Sequence, residues 1–160
     1  MSNVNRRQFL NLTAGLATAG AFVGFTGSAA FAAKPEVFTG LVKGVAVGGY
    51  DPVAYFTMNK AVEGSKEHTL SHNGAEWRFS SAENKALFMA NPARYAPQYG
   101  GYCAYAVSYG GTAKGEPEVW RIVDDKLYLN FSKGVQKRWV KDIPGHIKKG
   151  DENWPNVLTY

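Results

Sequence analysis

Three side chains of this sequence have the chemistry to hold a transition metal. Cys103 is the only cysteine among the 160 residues, and His68 and His72 are two of the three histidines. Thiolate and imidazole groups are ligands of zinc, copper and iron, so Cys103, His72 and His68 are the predicted metal ligands. Strict alternation places the two histidines on one face of a strand but roughly 13 Å apart, so a bulge or a turn must bring them closer to share one ion.

Other possible donors are weaker candidates. They are a third histidine, two methionines and a carboxylate: His146, Met58, Met89 and Asp51. A mononuclear copper centre usually takes a histidine and a methionine from just after its cysteine, and neither follows Cys103 closely. His146, which lies beyond Pro144, is predicted to be at the surface. Asp51 is predicted to stabilise the Gly48-Gly49 turn through its own backbone.

A single cysteine leaves several roles open for Cys103. It cannot form an internal disulfide, so it is buried and inert, a metal ligand, a reactive thiol or a link between two copies of the chain. A cysteine-dependent enzyme needs a histidine that the fold brings beside the thiol, and no local motif indicates one. The sequence also has no phosphate-binding loop, dinucleotide fingerprint or haem-attachment motif, so a catalytic role is less favoured.

Residues 1–32 have the layout of a cleavable export signal. Arg6-Arg7 precedes two apolar residues, an uncharged stretch rich in Ala, Gly and Thr covers residues 12–31, and Ala30-Phe31-Ala32 places small residues where a signal peptidase requires them. The length would allow a membrane span, but the weak hydrophobicity and the cleavage triplet argue against a stable membrane anchor. We therefore expect the twin-arginine translocase as a partner, removal of this segment and a periplasmic location.

The length of residues 33–160 and the charge of the chain limit the possible domain organisation and binding partners. Residues 33–160 are enough for one core but too few for two domains, so they are predicted to form a single domain. The net charge of the whole chain is +5, and the basic pairs Lys137-Arg138 and Lys148-Lys149 are short and mixed with acids. No basic block is long enough to indicate nucleic-acid binding.

Two hairpins are predicted to form the sheet. Asn73-Gly74, a pair suited to a type I′ turn, joins strands at residues 68–72 and 75–79. A second hairpin joins residues 119–123 to residues 127–131. The predicted class is therefore α+β, a small antiparallel sheet with two or three helices.

The sequence predicts helices after each hairpin. Ser80, followed by Glu83, forms a capping box that starts one helix, and Asn91-Pro92 ends that helix and begins another turn. A further helix is predicted from the Ser132 cap to Ile143.

Two glycine-rich segments precede the hairpins. The segment Gly48–Pro52 predicts a tight turn that enters a short strand at residues 53–56. The small residues within the segment 99–106 indicate that the backbone passes close to another part of the fold, and the tyrosines of these loops could line a pocket. No internal repeat is apparent in residues 33–160.

Several fixed spacings agree with one known domain family. They are set by Asp51-Pro52-Val53, Phe79, Phe88, Pro92 and Tyr95. In these residues the segment 51–95 resembles the YHS domain, a small module found beside metal-transporting ATPases and in other metal-handling proteins. A longer pattern, from residues 49–56 through residues 99–104, is similar to the exported YHS-domain proteins of bacteria. The resemblance implies a YHS-like core with a C-terminal extension over residues 33–160.

Three positions depart from the metal-binding members of that family. In those members a cysteine follows the Asp-Pro-Val entry, another follows the phenylalanine of the strand, and a third lies early in the helix. Here the positions hold Ala54, Ser80 and Asn84. A thiolate site needs sulfur donors in tetrahedral reach, so the thiolate site of the family cannot be transferred to this chain.

The resemblance and the export signal together favour a periplasmic YHS-like domain that binds or senses a metal, with copper, zinc and iron as the candidate ions. The twin-arginine route carries folded cargo that often holds a cofactor. The alternative is a non-catalytic protein-interaction module without a metal, which would use its tyrosine-rich loops and could form a homodimer. A cysteine-dependent enzyme is the least favoured class.

Overall fold

The computed structural model describes residues 33–159, which form two antiparallel hairpins with helices around them. β1 (Ser65–His72) pairs with β2 (Ala75–Phe79), and β3 (Glu116–Val123) pairs with β4 (Lys126–Asn130). The predicted α+β class is confirmed. Within the described residues, however, the strands form two separate two-stranded sheets where the sequence predicts one small sheet.

The described chain has more helices than the two or three that the sequence predicts. They are α1 (Ala54–Thr57), α2 (Ala82–Ala90), α3 (Pro92–Tyr95), α4 (Ala104–Ser108), α5 (Lys133–Trp139) and α6 (Ile143–Asn153). The predicted signal peptide, residues 1–32, lies outside the described residues. Between residues 33 and 159 no helix has the length and apolar character that a membrane crossing requires.

Both predicted hairpins are confirmed. Asn73 and Gly74 have left-handed backbones, with φ angles of 47° and 73°, as both central residues of a type I′ turn require. The second hairpin turns at Asp124 and Asp125, whose φ angles are 49° and 58°. Asparagine, aspartate and glycine tolerate this region better than other residues, which explains why these pairs occupy the turns.

The predicted strand at residues 53–56 is wrong, because α1 occupies this segment. The Asp51 carboxylate accepts hydrogen bonds from the backbone N–H groups of Val53 (2.9 Å) and Ala54 (3.3 Å), as a capping side chain does at the start of a helix. Pro52 follows Asp51 directly, where a helix needs no N–H donor. This cap overrides the β preference of the valine and aromatic side chains in the segment.

The C-terminal helical region also differs from its prediction. The Ser132 hydroxyl caps α5 as predicted, but the helix ends before Ile143 and a second helix, α6, begins there. Asp142 caps α6 by accepting the N–H of Gly145 over 3.0 Å. Pro144, which the sequence analysis takes as a stop signal, lies in the first turn of α6, where proline is well tolerated.

The order of elements occurs twice in the described chain, although no repeat is apparent in the sequence. Each half has a glycine-rich turn with left-handed residues, a short helix, a hairpin whose register shifts once and a serine-capped helix. The turn residues Gly48-Gly49-Tyr50 of the first half correspond to Gly100-Gly101-Tyr102 of the second. The next residue is Asp51 in the first half and Cys103 in the second.

One buried cluster joins the two halves. Trp77 from the first hairpin belongs to the same cluster as Leu127 and Leu129 from the second, and all three are almost completely buried. The Tyr55 hydroxyl in α1 donates a hydrogen bond to the carbonyl oxygen of Pro117 in β3 over 2.9 Å. The two sheets therefore share a core without sharing strands.

Residues 34–38 cross the second half and fix one of its turns. The N–H of Phe38 donates to the carbonyl oxygen of Gly100 over 2.9 Å. Gly100 has a left-handed φ of 60°, and a Cβ atom there would overlap the carbonyl oxygen of Glu36. The close backbone approach that the small residues of 99–106 predict is confirmed at this position.

Replacing Gly100 by alanine should destabilise the domain more than the same change at Gly74. Both glycines have left-handed φ angles, 60° and 73°, but nothing lies within 4 Å of a Cβ at Gly74. We expect G74A to lower the free energy of unfolding by about 1–2 kcal/mol, the cost of the left-handed region for alanine. G100A should cost at least about 2 kcal/mol more, because the backbone of residues 36–37 must also move. Urea unfolding of both variants gives the two values, and equal losses would contradict the overlap with Glu36.

Candidate functional site

Asp51 is a fully buried acidic residue with five hydrogen-bond donors around its carboxylate. Its Oδ2 atom accepts the backbone N–H (2.8 Å) and the hydroxyl (2.6 Å) of Ser80, and the side-chain amide of Asn84 (2.7 Å). Its Oδ1 atom accepts the two N–H groups at the start of α1. In the described chain no lysine, arginine or histidine pairs with it. Asp51 thus anchors α1 and the start of α2, whereas the sequence predicts that it stabilises the preceding turn.

The three positions where the resemblance would place cysteines meet at this carboxylate. Ala54 contributes only its backbone N–H, whereas Ser80 and Asn84 contribute side-chain donors. Ser81 caps α2 in place of the predicted Ser80, because the Ser81 hydroxyl accepts the N–H of Asn84 over 3.2 Å. These residues satisfy an anion with hydrogen bonds and offer no thiolate, so they do not fit a thiolate-bound metal.

Cys103 is free and enclosed, with 1% of its surface exposed. Its Sγ atom lies 3.9 Å from Oδ1 of Asn130, a fully buried residue at the end of β4. The backbone N–H of Cys103 donates to the carbonyl oxygen of Ala113 over 2.9 Å. Of the roles that the sequence leaves open, burial is the one that this geometry favours.

The two predicted histidine ligands differ in their positions on β1. The register of β1 is shifted around His68, whereas His72 lies in the regular part next to the turn. The His72 ring contacts the rings of Phe88 and Trp77, with centroid distances of 5.7 and 6.4 Å. Within residues 33–159 no group of three or more His, Cys, Asp or Glu side chains is placed to hold a metal ion, so Cys103, His68 and His72 do not meet as three ligands.

The prediction that His146 lies at the surface is wrong, because only 8% of it is exposed. The helix α6 carries it inward, where Nδ1 lies 3.0 Å from the Ser108 hydroxyl and the ring packs on Tyr105 at a centroid distance of 5.1 Å. The Ser108 hydroxyl donates to the carbonyl oxygen of Tyr105 over 2.8 Å. The remaining sulfur donors, Met58 and Met89, are exposed and lie at none of these sites.

A cleft of about 440 Å³ opens beside His72. The sequence indicates only that tyrosines of the glycine-rich loops could line a pocket, and Tyr99 is the one of them that lines this cleft. We call it the tryptophan cleft. The residues that define it are Glu36, His72, Trp77, Gln98, Tyr99 and Trp154. It therefore combines the end of the first hairpin, the turn of the second half and both terminal segments of the described chain.

The polar side chains of the tryptophan cleft are available for a ligand. Within the described residues, the side chains of Glu36, His72 and Gln98 form no hydrogen bond or ion pair. His72 and Gln98 are half-buried, and Glu36 is exposed at the rim. Half-buried polar groups without partners are the groups that orient a ligand in an otherwise apolar pocket.

Tyr99 forms the fixed wall of the tryptophan cleft. Its hydroxyl donates to Oδ1 of Asp151 in α6 over 2.9 Å. Burial, and then this hydrogen bond to Asp151, raise the pKa of the Tyr99 hydroxyl above its usual value. The ring lies 5.9 Å from the ring of Trp154, centroid to centroid. The phenol therefore stays neutral over the physiological pH range.

Comparisons with protein-family models, with curated proteins and with solved structures found no match for this chain. The resemblance to YHS domains therefore stays a prediction. Conclusions about function rest on the arrangement of the described side chains, namely the Asp51 network, the buried Cys103 and the tryptophan cleft.

Replacing Asp51 by asparagine should destabilise the domain strongly. Both carboxylate oxygens of Asp51 accept hydrogen bonds, so either orientation of the asparagine amide places its N–H₂ group against donors. Those buried donors would then have no acceptor. We expect a loss of about 3 kcal/mol in the free energy of unfolding. D142N is the matched control, because Asp142 is an exposed cap and asparagine caps helices equally well. Denaturant unfolding should show little change in that variant, and similar losses in both would contradict the proposed importance of Asp51.

The predicted binding of copper, zinc or iron has a direct test. Protein purified from the periplasm, as wild type and as C103A, is analysed for bound metals by mass spectrometry. One equivalent of metal that is lost in C103A would support Cys103 as a ligand. Because Cys103 is enclosed, with 1% of its surface exposed, and its Sγ atom lies against Asn130, we expect the two proteins to contain equal amounts of metal. Recovery from the periplasm tests the predicted location in the same experiment.

Proposed function

We propose that this chain is a non-catalytic binding module, exported to the periplasm by the twin-arginine translocase, that holds a small ligand in the tryptophan cleft. The observation that carries the proposal is the set of unpaired polar side chains, Glu36, His72 and Gln98, in a cleft with aromatic walls. The proposed export rests on the sequence of residues 1–32, which lie outside the described residues.

The size and lining of the cleft support ligand binding. Its volume of about 440 Å³ falls within the range of about 300–1,000 Å³ that small-molecule sites occupy. Trp77 and Tyr99 are almost completely buried, with 1% and 5% exposed, so the half-buried Trp154 is the aromatic residue of the wall with the most surface open to a ligand. Large aromatic side chains supply most of the contact energy in such pockets.

A second groove is a weaker candidate. It has a volume of about 610 Å³ and lies between the β3–β4 turn and α6, with Ile143 and Ile147 in its wall. Its acidic residues Asp124, Asp151 and Glu152 are all exposed. The groove therefore offers apolar contact without enclosed polar groups that could select or orient a ligand.

The described residues favour binding over catalysis. In the Ser108–His146 pair, the serine hydroxyl lies within hydrogen-bond distance of both the Tyr105 carbonyl oxygen (2.8 Å) and the imidazole Nδ1 (3.0 Å). Both side chains are buried, with 4% and 8% exposed, which keeps a substrate from the hydroxyl. The hydrogen-bond partner of the Cys103 thiol among the described residues is Asn130, not a histidine.

Fluorine NMR on protein labelled with fluorotryptophan tests this proposal. The chain has four tryptophans, of which Trp77 and Trp154 line the tryptophan cleft and Trp120 and Trp139 do not. Three aromatic probes of different charge are titrated: phenol, benzoate and phenyltrimethylammonium. We expect at least one of them to shift the signals of Trp77 and Trp154, because a ligand in the cleft changes the surroundings of both rings.

Trp120 and Trp139 are the internal controls, and single Trp→Phe variants assign the four signals. A probe that moves only the two cleft signals, with saturation, supports the binding module. If no probe moves Trp77 or Trp154, or if all four signals move together, the proposed function is wrong. The assay reads binding alone, so it does not depend on knowledge of the natural ligand.

A further inference from the structure

We infer that the tryptophan cleft selects an organic cation, a ligand with a substituted ammonium group and an apolar body. This inference rests on the proposed function and adds the charge of the ligand. Among the described residues that line the cleft, Glu36 is the one with a full charge, and none is a lysine or an arginine. The local charge of the cleft is thus negative, although the chain as a whole carries +5.

The aromatic walls suit a cation as well as an apolar group. Ring faces attract ammonium groups, and tryptophan attracts them most strongly. Two tryptophans, Trp77 and Trp154, and Tyr99 line the same cleft. Trp77 and Tyr99 are almost completely buried, whereas Trp154 is half-buried. Trp154 is therefore the aromatic side chain that is open to a positive group.

The basic side chain that directly follows the cleft residues Pro92 and Ala93 is directed to other partners. Arg94 lies in α3, next to the cleft residues Pro92 and Ala93, but it does not line the cleft. Its guanidinium lies 5.7 Å from the centre of the Phe56 ring, and it pairs with Asp125 at 3.6 Å. The Glu36 carboxylate forms no ion pair within the described residues and can therefore pair with a ligand.

The neutral polar groups of the cleft complete the recognition of such a ligand. The His72 imidazole, when neutral, has a nitrogen that accepts a hydrogen bond, and the Gln98 amide oxygen is a second acceptor. Both acceptors suit a ligand that carries a hydroxyl or an N–H donor close to its charge. An anionic ligand would face Glu36 with no lysine or arginine among the described residues that line the cleft.

A pair of probes that differ only in charge tests the inference. Choline is compared with its uncharged isostere, the dimethylbutanol in which a carbon atom replaces the nitrogen, by fluorine NMR of the same labelled protein. We expect choline to bind about tenfold more tightly than the alcohol and to shift the signals of Trp77 and Trp154. E36Q should weaken choline binding about three- to fivefold, as expected for loss of an exposed ion pair, and should not change binding of the alcohol.

E67Q is the matched control, because Glu67 is an exposed residue of β1 outside the cleft and the variant loses the same charge. Equal affinity for choline and the alcohol, or equal effects of E36Q and E67Q, would show that the cleft does not select cations. If phenol or benzoate still shifts the two cleft tryptophans in that case, the binding module stands and only the inference is wrong. If none of the probes shifts them, both are wrong.

Discussion

A carboxylate without a cation in the interior of a small domain sets the main constraint on this structure. Removing a charge from water costs several kcal/mol unless hydrogen bonds replace the lost hydration. Asp51 meets this requirement with five donors, which come from the start of α1, from Ser80 after β2 and from Asn84 in α2. These elements must stay together to keep the charge satisfied, so the network fixes the first half of the fold and, through the shared core, the second.

The same position in the second half has a different chemistry. Cys103 stands where Asp51 stands in the first half, and its thiol needs no such set of donors. Its neighbour Asn130 has an amide nitrogen without a partner among the described residues. A buried donor in that state costs about 1–3 kcal/mol. Among the described residues, the two buried side-chain nitrogens that lack a partner, in Asn130 and Trp139, both lie in the second half.

Local signals in the sequence predict the hairpins and several helix caps. They do not predict contacts between residues that are distant in the sequence. Asn73-Gly74 and Ser132 act on neighbours within three residues, so their effects can be read from the sequence. Asp51 could be recognised as a turn or cap residue, but its bonds to Ser80 and Asn84 depend on the folded chain. The tryptophan cleft draws on residues from 36 to 154, which no local pattern connects.

The two halves of the domain depend on each other for stability. A two-stranded hairpin is at best marginally stable alone in water, and each half of this chain has only one. Trp77 from one hairpin and Leu127 from the other complete a single cluster, so each half depends on the apolar surface of the other. We therefore expect both halves to unfold together in one cooperative transition. The repeated order of secondary-structure elements does not make each half an independent folding unit.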